Sequence, residues 1–152
     1  MRGKTIFITG SSSGLGRATA KLFASKGWRV IASMRDPRKE KELNDISGLR
    51  LKALDVTDPG AIESVAKQVV GSGGTDLVFN NAGYGLAGAL EGLTDEQILR
   101  MVSTNMLGTI RTTKAFIPHF REKRAGLFIN TTSLGGLSIS VQLHLPRNQV
   151  GG

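Results

Sequence analysis

Residues Thr9-Gly10-Ser11-Ser12-Ser13-Gly14-Leu15-Gly16 join a short apolar run to a stretch with helical periodicity. The apolar run, TIFIT at 5–9, has the length and composition of a buried strand. A glycine-rich loop between a strand and a helix is a good site for phosphate, because free backbone N–H groups and the positive end of the helix dipole point to the same place. The stretch therefore predicts a phosphate-binding loop at the start of an α/β fold.

Each glycine of this loop has a predicted role. Gly10 permits the tight turn, Gly14 allows a diphosphate to approach the backbone, and Gly16 allows the helix and strand to pack closely. An ordinary Gly/Ser turn is the alternative interpretation. A nucleotide-triphosphate P-loop is excluded, because no Gly-Lys-Ser/Thr follows Gly10 at the required spacing.

Apolar runs recur along the chain in a pattern that alternates strands with helices. After the first strand, strands are predicted at RVIASM (29–34), LKALDV (51–56), DLVFNNAG (76–83) and GLFINTTS (126–133). Such alternation favours parallel βαβ units with right-handed crossovers and helices on both faces of the sheet. The prediction is a doubly wound, Rossmann-like α/β domain at 1–137, followed by an atypical tail at 138–152.

Three helices are predicted from periodicity and capping residues. The first follows the glycine-rich loop and ends at Gly27, while a charged stretch after the second strand forms a short helix or loop. The second has Asp58 as its N-cap and Pro59 at its first position. The third covers about 95–118 and begins with a capping box of Thr94 and Gln97. The apolar face of the first helix is predicted to consist of Leu15, Ala18, Leu22 and Phe23.

The composition of the 152 residues limits the possible functions. A hydrophobic fraction of 39% and a charged fraction of 21% are typical of one soluble domain. The absence of cysteine excludes disulfides and thiolate metal sites and is compatible with the cytoplasm. No apolar stretch reaches the roughly 18 residues of a membrane-spanning helix. We therefore expect a cytoplasmic protein with no metal and no membrane partner.

The net charge of +8 is concentrated at the start of the chain, where residues 1–50 hold eleven Lys and Arg against four Asp and Glu. Nucleic-acid binding is one interpretation of such a patch, but it favours stacking aromatic residues among the cations. Trp28 is the only Trp and Tyr84 the only Tyr. A solvated basic face near a phosphate-bearing cofactor is the preferred interpretation, and no nucleic-acid partner is expected.

The TGxxxGxG spacing of the loop resembles that of the short-chain dehydrogenase/reductase family. The NNAG motif at Asn80–Gly83 matches the family's second signature, and Asp55 with Val56 resembles its adenine-contacting pair. Asn105 falls where the family keeps a catalytic Asn, and Ser133 matches its catalytic Ser at the end of the fifth strand. These five matches occur in the expected order over residues 4 to about 137.

This resemblance implies an oxidoreductase that transfers a hydride between a nicotinamide cofactor and a carbonyl or alcohol substrate, in a parent protein that is a homo-oligomer. The cofactor-binding residues that it implies are Gly10, Ser12, Ser13, Gly14, Leu15, Gly16, Arg35, Asp55, Val56, Asn81, Ala82 and Gly83. A non-catalytic cofactor-binding or interaction fragment is the alternative function.

For the catalytic pair, the resemblance implies two different roles. Asn105 would hold an ordered water in the family's proton relay; the alternative is a packing Asn bonded to neighbouring backbone, because it shares a helix face with apolar residues. The Ser133 hydroxyl would bond the substrate oxygen and stabilise developing charge. A nucleophilic serine is disfavoured, because Thr131 stands where a nucleophile elbow needs glycine.

The end of the second strand decides between the two nicotinamide cofactors. A carboxylate there binds a free ribose 2′-hydroxyl and repels a 2′-phosphate. In this chain Met34 occupies the carboxylate position and Arg35 follows it, which favours NADP over NAD, because a guanidinium binds phosphate well. The alternative is that Arg35 is only solvated and Asp36 binds the ribose of NAD.

The family's acid–base pair, a Tyr followed four residues later by a Lys, is missing. Tyr84 is the only Tyr, and no Lys follows Lys123. The last eight residues can be encoded by a nucleotide string that, read one base forward, gives Tyr-His-Ala-Thr-Lys-Trp-Ala. We therefore interpret the tail as an out-of-frame reading of the catalytic helix, with a genuine truncation as the alternative, and expect weak or absent turnover and poor solubility for this form.

Overall fold

The computed structural model of the chain describes residues 3–86 and 88–133. The predicted tail at 138–152 and its out-of-frame reading lie outside these residues. The five strands are β1 (Thr5–Ile8), β2 (Arg29–Met34), β3 (Leu49–Ala53), β4 (Leu77–Asn80) and β5 (Leu127–Asn130). They form one parallel sheet in the order β3-β2-β1-β4-β5. The predicted doubly wound, Rossmann-like fold is confirmed.

The helices of the described residues are α1 (Gly14–Ser25), α2 (Pro59–Gly71), α3 (Asp95–Val102) and α4 (Gly108–Lys123). A π-helical segment at Ser103–Leu107 joins α3 to α4, and single 3₁₀ turns lie at Pro37–Lys39 and Leu90–Gly92. The capping box before α3 and the Asp58 cap of α2 are present as predicted.

The prediction of a single helix at 95–118 was wrong in two respects. It is interrupted by the π-helical segment, and it continues to Lys123 although Pro118 lies inside it. Proline lacks an N–H and normally ends or kinks a helix. Here Phe116 and Phe120, on either side of the proline, are both buried in the core, and their rings pack at tilted angles against Phe7 and Phe128 respectively. This packing explains why the helix continues through the proline.

Helices cover both faces of the sheet, as the alternating pattern predicted. Phe7 and Val78 point to the face covered by α2 and α4, while Ile6, Ile8 and Phe79 point to the face covered by α1. A parallel strand buried on both faces needs apolar residues at successive positions rather than at alternate ones. That requirement explains the continuous apolar runs of β1 and β4.

The predicted apolar face of α1 was only partly right. Leu15 and Leu22 are 59% and 52% exposed, whereas Gly16 and Ala20 are buried against the sheet. Phe23 packs on the same core cluster as predicted. In its first turns the helix approaches the sheet through Gly16 and Ala20, so Leu15 and Leu22 are turned towards solvent.

The side on which the chain adds new strands changes between β3 and β4, so β1 and β4 are neighbours in the middle of the sheet. From β1 the chain adds β2 and β3 on one side, and it then returns to place β4 on the other side. In open α/β sheets a crevice forms at this switch point, outside the carboxyl ends of the strands. The glycine-rich loop after β1 and the segment after β4 therefore meet there.

Asp76, immediately before β4, bonds neighbouring segments at the amino ends of the strands, opposite the crevice. Its carboxylate accepts a bond from the Thr5 amide at 2.7 Å and pairs with the Lys123 ammonium. Burial raises the pKa of this carboxyl, but the bonds from Lys123 and Thr5 outweigh it, so the pKa lies below its ordinary value. The ionised form therefore stabilises the fold.

We expect Asp76→Asn to lower the free energy of unfolding by about 1 kcal/mol at pH 7. The wild-type advantage is complete above the unfolded pKa of about 3.9 and disappears as the pH falls through the lowered folded pKa. Urea unfolding at pH 7 and pH 3 measures it, with the exposed Asp45→Asn as the control. An equal loss at both pH values would contradict the electrostatic explanation.

Candidate functional site

A cavity of about 710 Å³ opens at the carboxyl ends of the strands, where the segments after β1, β2, β3 and β4 meet. It brings together eleven of the twelve residues expected to bind a cofactor: Gly10, Ser12, Ser13, Gly14, Leu15, Arg35, Asp55, Val56, Asn81, Ala82 and Gly83. The remaining one, Gly16, lies behind the loop, where it contacts other backbone rather than the cavity.

Two of the three loop glycines are required by close contacts. Gly10 has a φ of +69°, and a Cβ there would lie 2.7 Å from the Cα of Ala82. A Cβ on Gly16 would lie 2.4 Å from the carbonyl oxygen of Gly10 and 2.5 Å from Nδ2 of Asn81. Gly14 differs, because its φ is +50° and open space surrounds the position of a Cβ. The open side at Gly14 is where a ligand has room to approach the backbone.

Thr9 and Asn81 clamp the loop after β1 to the segment after β4. The Thr9 hydroxyl accepts bonds from the amides of Asn81 and Ala82, both at 3.0 Å. In return, Nδ2 of Asn81 donates to the carbonyls of Thr9 and Gly10, also at 3.0 Å. Thr9 is 2% exposed, so these bonds are shielded from water. Sequence reasoning missed this clamp, although both residues lie in the two matched motifs.

The N-terminus of α1 lies in the cavity without a side-chain cap. Ser13 is its N-cap residue but makes no capping bond, and no acidic residue occupies the first turn. By contrast, Asp58 caps α2 and Thr94 caps α3. Uncapped N–H groups and the positive end of the helix dipole attract an anion. The first turn of α1 is therefore available to a phosphate group.

At the end of β2, Arg35 is exposed and lines the cavity, whereas Asp36 is bonded elsewhere. The Asp36 carboxylate accepts bonds from the Arg38 side chain at 2.9 and 3.2 Å and from the Arg38 amide at 3.2 Å. These bonds, the side-chain bond most of all, hold the pKa of Asp36 below its ordinary value. Asp36 thus starts the 3₁₀ turn that follows and does not line the cavity.

Asp55 and Val56 follow β3 rather than ending it, because the strand is shifted two to three residues towards the N-terminus from its predicted range. The Asp55 carboxylate accepts bonds from the amide and hydroxyl of Thr57 at 2.9 and 2.7 Å. The Thr57 amide is the main cause of the lowered pKa of Asp55; its hydroxyl and the positive charge of Arg35 add to it, and burial opposes it. Asp55 is therefore an ionised group beside Arg35 in the cavity wall.

The structure does not place the two expected catalytic residues in the cavity wall. Asn105 is exposed, although it shares a helix face with apolar residues, and its amide bonds the backbone of Tyr84: Nδ2 donates to the carbonyl at 2.8 Å, and Oδ1 accepts from the amide at 3.1 Å. These are the contacts of the packing alternative. Ser133 is exposed and lies three residues beyond the end of β5.

Four lining residues were not identified from the sequence: Leu54, Thr57, Arg100 and Thr104. Leu54 and Thr57 flank the identified pair Asp55 and Val56, so the end of β3 was the signal for them. Met34 at the end of β2 and Tyr84 after β4 also line the cavity. Arg100 and Thr104 lie four residues apart on the helix after β4, and this spacing does not distinguish a cavity-facing side chain from a solvent-facing one.

No group of three or more His, Cys, Asp or Glu side chains that could hold a metal ion is found in residues 3–86 and 88–133. Over the same ranges, the helices are too short or too polar to cross a bilayer.

Comparison with known proteins gives consistent matches. A family model described as short chain dehydrogenase matches residues 4–144. A 3-ketodihydrosphingosine reductase from Bacteroides thetaiotaomicron is 35% identical over 138 residues, which are 90% of this chain and 49% of the relative. The chain spans about half the length of the curated relatives first matched.

Solved structures show the same fold. The structure of a short-chain dehydrogenase from Streptomyces avermitilis has a TM-score of 0.85 at 33% identity, covering 90% of this chain and 52% of its own. ElxO, solved with NADP bound, has a TM-score of 0.84 at 29% identity, covering 90% and 58%.

Adding a methyl group at Gly16 tests the close approach of the loop and the helix directly. We expect Gly16→Ala to destabilise the chain by about 1–3 kcal/mol, because the added methyl would overlap the backbone of Gly10. Chemical denaturation measures the loss. Gly71→Ala is the matched control, because this helical glycine has nothing within 4 Å of a Cβ and the change should be neutral or slightly stabilising. Equal stability of the two variants would contradict the close approach.

Proposed function

The chain belongs to the short chain dehydrogenase family, a family of oxidoreductases, and we propose that it binds a nicotinamide dinucleotide for hydride transfer to or from a carbonyl or alcohol. The observation that carries the proposal is the uncapped first turn of α1, which faces a cavity lined by the two family motifs. The cavity volume of about 710 Å³ lies within the roughly 300–1,000 Å³ common for small-molecule sites.

The residues of the cavity suit the three chemical parts of a dinucleotide. Main-chain N–H groups of Ser13, Gly14 and Leu15 would hold the diphosphate, and the Asp55–Val56 pair would contact the adenosine. When bound, the nicotinamide supplies or accepts the hydride. The chain's own contribution is to bind and orient this group at the switch point between β1 and β4.

We propose NADP as the preferred cofactor. Within the described residues, Arg17, Lys21, Arg38 and Lys39 near this end of the sheet all pair with carboxylates, while Arg35 forms no ion pair within 4 Å. The carboxylate of Asp36, the alternative ligand for a free ribose, is occupied by Arg38. The NADP bound in ElxO supports the same preference.

For the reaction itself, we propose that the Ser133 hydroxyl donates a hydrogen bond to the substrate oxygen and stabilises charge that develops there. Asn105 would act by holding the Tyr84 backbone, since both side-chain atoms bond it, and Tyr84 forms one wall of the cavity. A role for Asn105 in holding a water remains part of the proposal through the family match. We further propose that the whole protein is a cytoplasmic homo-oligomer and that its substrate is a small carbonyl compound or alcohol.

The cofactor proposal predicts that the 152-residue chain binds NADPH more tightly than NADH. Arg35→Ala should weaken NADPH binding by about tenfold or more, because a charge-assisted bond to phosphate contributes roughly 1.5–3 kcal/mol, and should leave NADH binding nearly unchanged. Isothermal titration calorimetry gives both dissociation constants, with the exposed Arg50→Ala as control. Tighter binding of NADH by the wild type would end the NADP assignment, and binding of neither dinucleotide would end the proposed function.

Turnover is expected to be weak or absent for this chain even when NADPH is bound. The 152 residues contain one Tyr, with Gly88 four residues after it, so they hold no Tyr–Lys pair to move the proton. Oxidation of NADPH with a panel of aldehydes and ketones, followed at 340 nm, measures this. Robust turnover that disappears in Ser133→Ala would show that another group moves the proton, contrary to this expectation.

A further inference from the structure

Glu40 is a buried carboxylate just after the 3₁₀ turn that follows β2. It is 3% exposed, and Oε1 accepts bonds from the amides of Glu42 and Leu43 at 2.8 and 3.3 Å. Its second oxygen lies 3.2 Å from the Arg17 guanidinium. Leu43 is fully buried in the core beside α1, which anchors the turn. A charged side chain is rarely buried unless it is paired, and these partners satisfy both oxygens of Glu40.

Arg17 links this turn to the glycine-rich loop. Its NH2 donates both to Glu40 and to the main-chain oxygen of Ser12, while NH1 donates to Glu42. The planar guanidinium therefore bridges the loop after β1 and the segment after β2 in one geometry. Because two carboxylates neutralise its charge, Arg17 is poorly suited to be a phosphate ligand itself.

The bond to Ser12 sets the direction of the next amide. A trans peptide directs its C=O and N–H groups to opposite sides, and the described residues contain no cis peptide. Ser12 and Ser13 line the cavity, whereas Arg17 does not. The Ser12 carbonyl is directed at Arg17, so the Ser13 N–H points to the side opposite Arg17, and both serines line the cavity.

We propose that Glu40 is a positioning residue for the phosphate-binding loop. It orients Arg17, which holds the Ser12 carbonyl and thereby keeps the Ser13 N–H directed at the phosphate of a bound dinucleotide. The inference rests on the proposed function, because it concerns the same cavity. It adds that a buried carboxylate outside the two signature motifs sets the affinity of the loop for phosphate.

The test compares Glu40→Gln with the matched variant Glu42→Gln in the 152-residue chain. Both carboxylates contact Arg17, but Glu42 is exposed and pairs also with Lys21. Glu40→Gln should weaken NADPH binding by about tenfold and leave the weak binding of adenosine, a probe without phosphate, unchanged. Glu42→Gln should weaken NADPH binding less than Glu40→Gln does, because its contact with Arg17 is exposed to solvent, and it should leave adenosine binding unchanged. Calorimetry gives the NADPH constants, and ligand-observed NMR gives those for adenosine.

A second variant separates positioning from folding. Arg17→Met keeps the bonds of Glu40 to its own turn and removes the contact with Ser12, so it should show the same selective loss of NADPH affinity. In a double-mutant cycle, the pair of changes should weaken NADPH binding no more than either change alone. If Glu40→Gln does not fold, as thermal unfolding will show, the Arg17→Met result decides.

The possible outcomes are distinct. If the wild type binds neither NADPH nor NADH, the proposed function fails and this inference fails with it. If the wild type binds NADPH but Glu40→Gln or Arg17→Met binds it equally well, only the positioning role is overturned. A parallel loss of NADPH and adenosine binding would show that Glu40 supports the fold alone, which also overturns the inference.

Discussion

The structure depends on one close approach of three backbone segments. The loop after β1, the first turn of α1 and the segment after β4 meet where Gly10 and Gly16 leave no room for a Cβ. The hydroxyl of Thr9 and the amide of Asn81 lock these segments together through four hydrogen bonds that have little access to water. Loss of one partner would leave buried donors or acceptors unsatisfied, at a cost of roughly 1–3 kcal/mol for each group.

This close approach also explains why the cavity forms where it does. Because α1 must come within contact of the β4 segment, its small residues face the sheet, and its N-terminus points at the reversal of strand order. The first turn of α1 at this contact has no side-chain cap, whereas α2 and α3 are both capped. The close packing and the uncapped N–H groups therefore occur at the same place in the fold.

The fold and the cavity were largely predictable from the sequence because both depend on local signals. Glycine spacing, the two caps and the order of the apolar runs are all readable from short segments, as Asp58 and Thr94 show. The buried face of α1, the π-helical segment and the contacts of Asn105 were not predictable, because each depends on packing between segments distant in sequence. Asn105, for example, bonds the backbone of a residue 21 positions earlier.

The distribution of charge around the cavity also depends on contacts between distant segments, so it could not be predicted from the sequence alone. A count of cations suggests a broad basic face, but Arg17 and Lys21 are neutralised by Glu40 and Glu42, and Arg38 by Asp36. Paired cations contribute little field beyond a few ångströms, since each is accompanied by an opposite charge and the rest is screened by salt. The proposed preference for NADP therefore rests on Arg35, which forms no ion pair within 4 Å among the described residues, although its charge contributes to the lowered pKa of Asp55 in the same wall. A phosphate bound there would share the field of the guanidinium with the Asp55 carboxylate, so the affinity gained from Arg35 would be smaller than its full charge would provide.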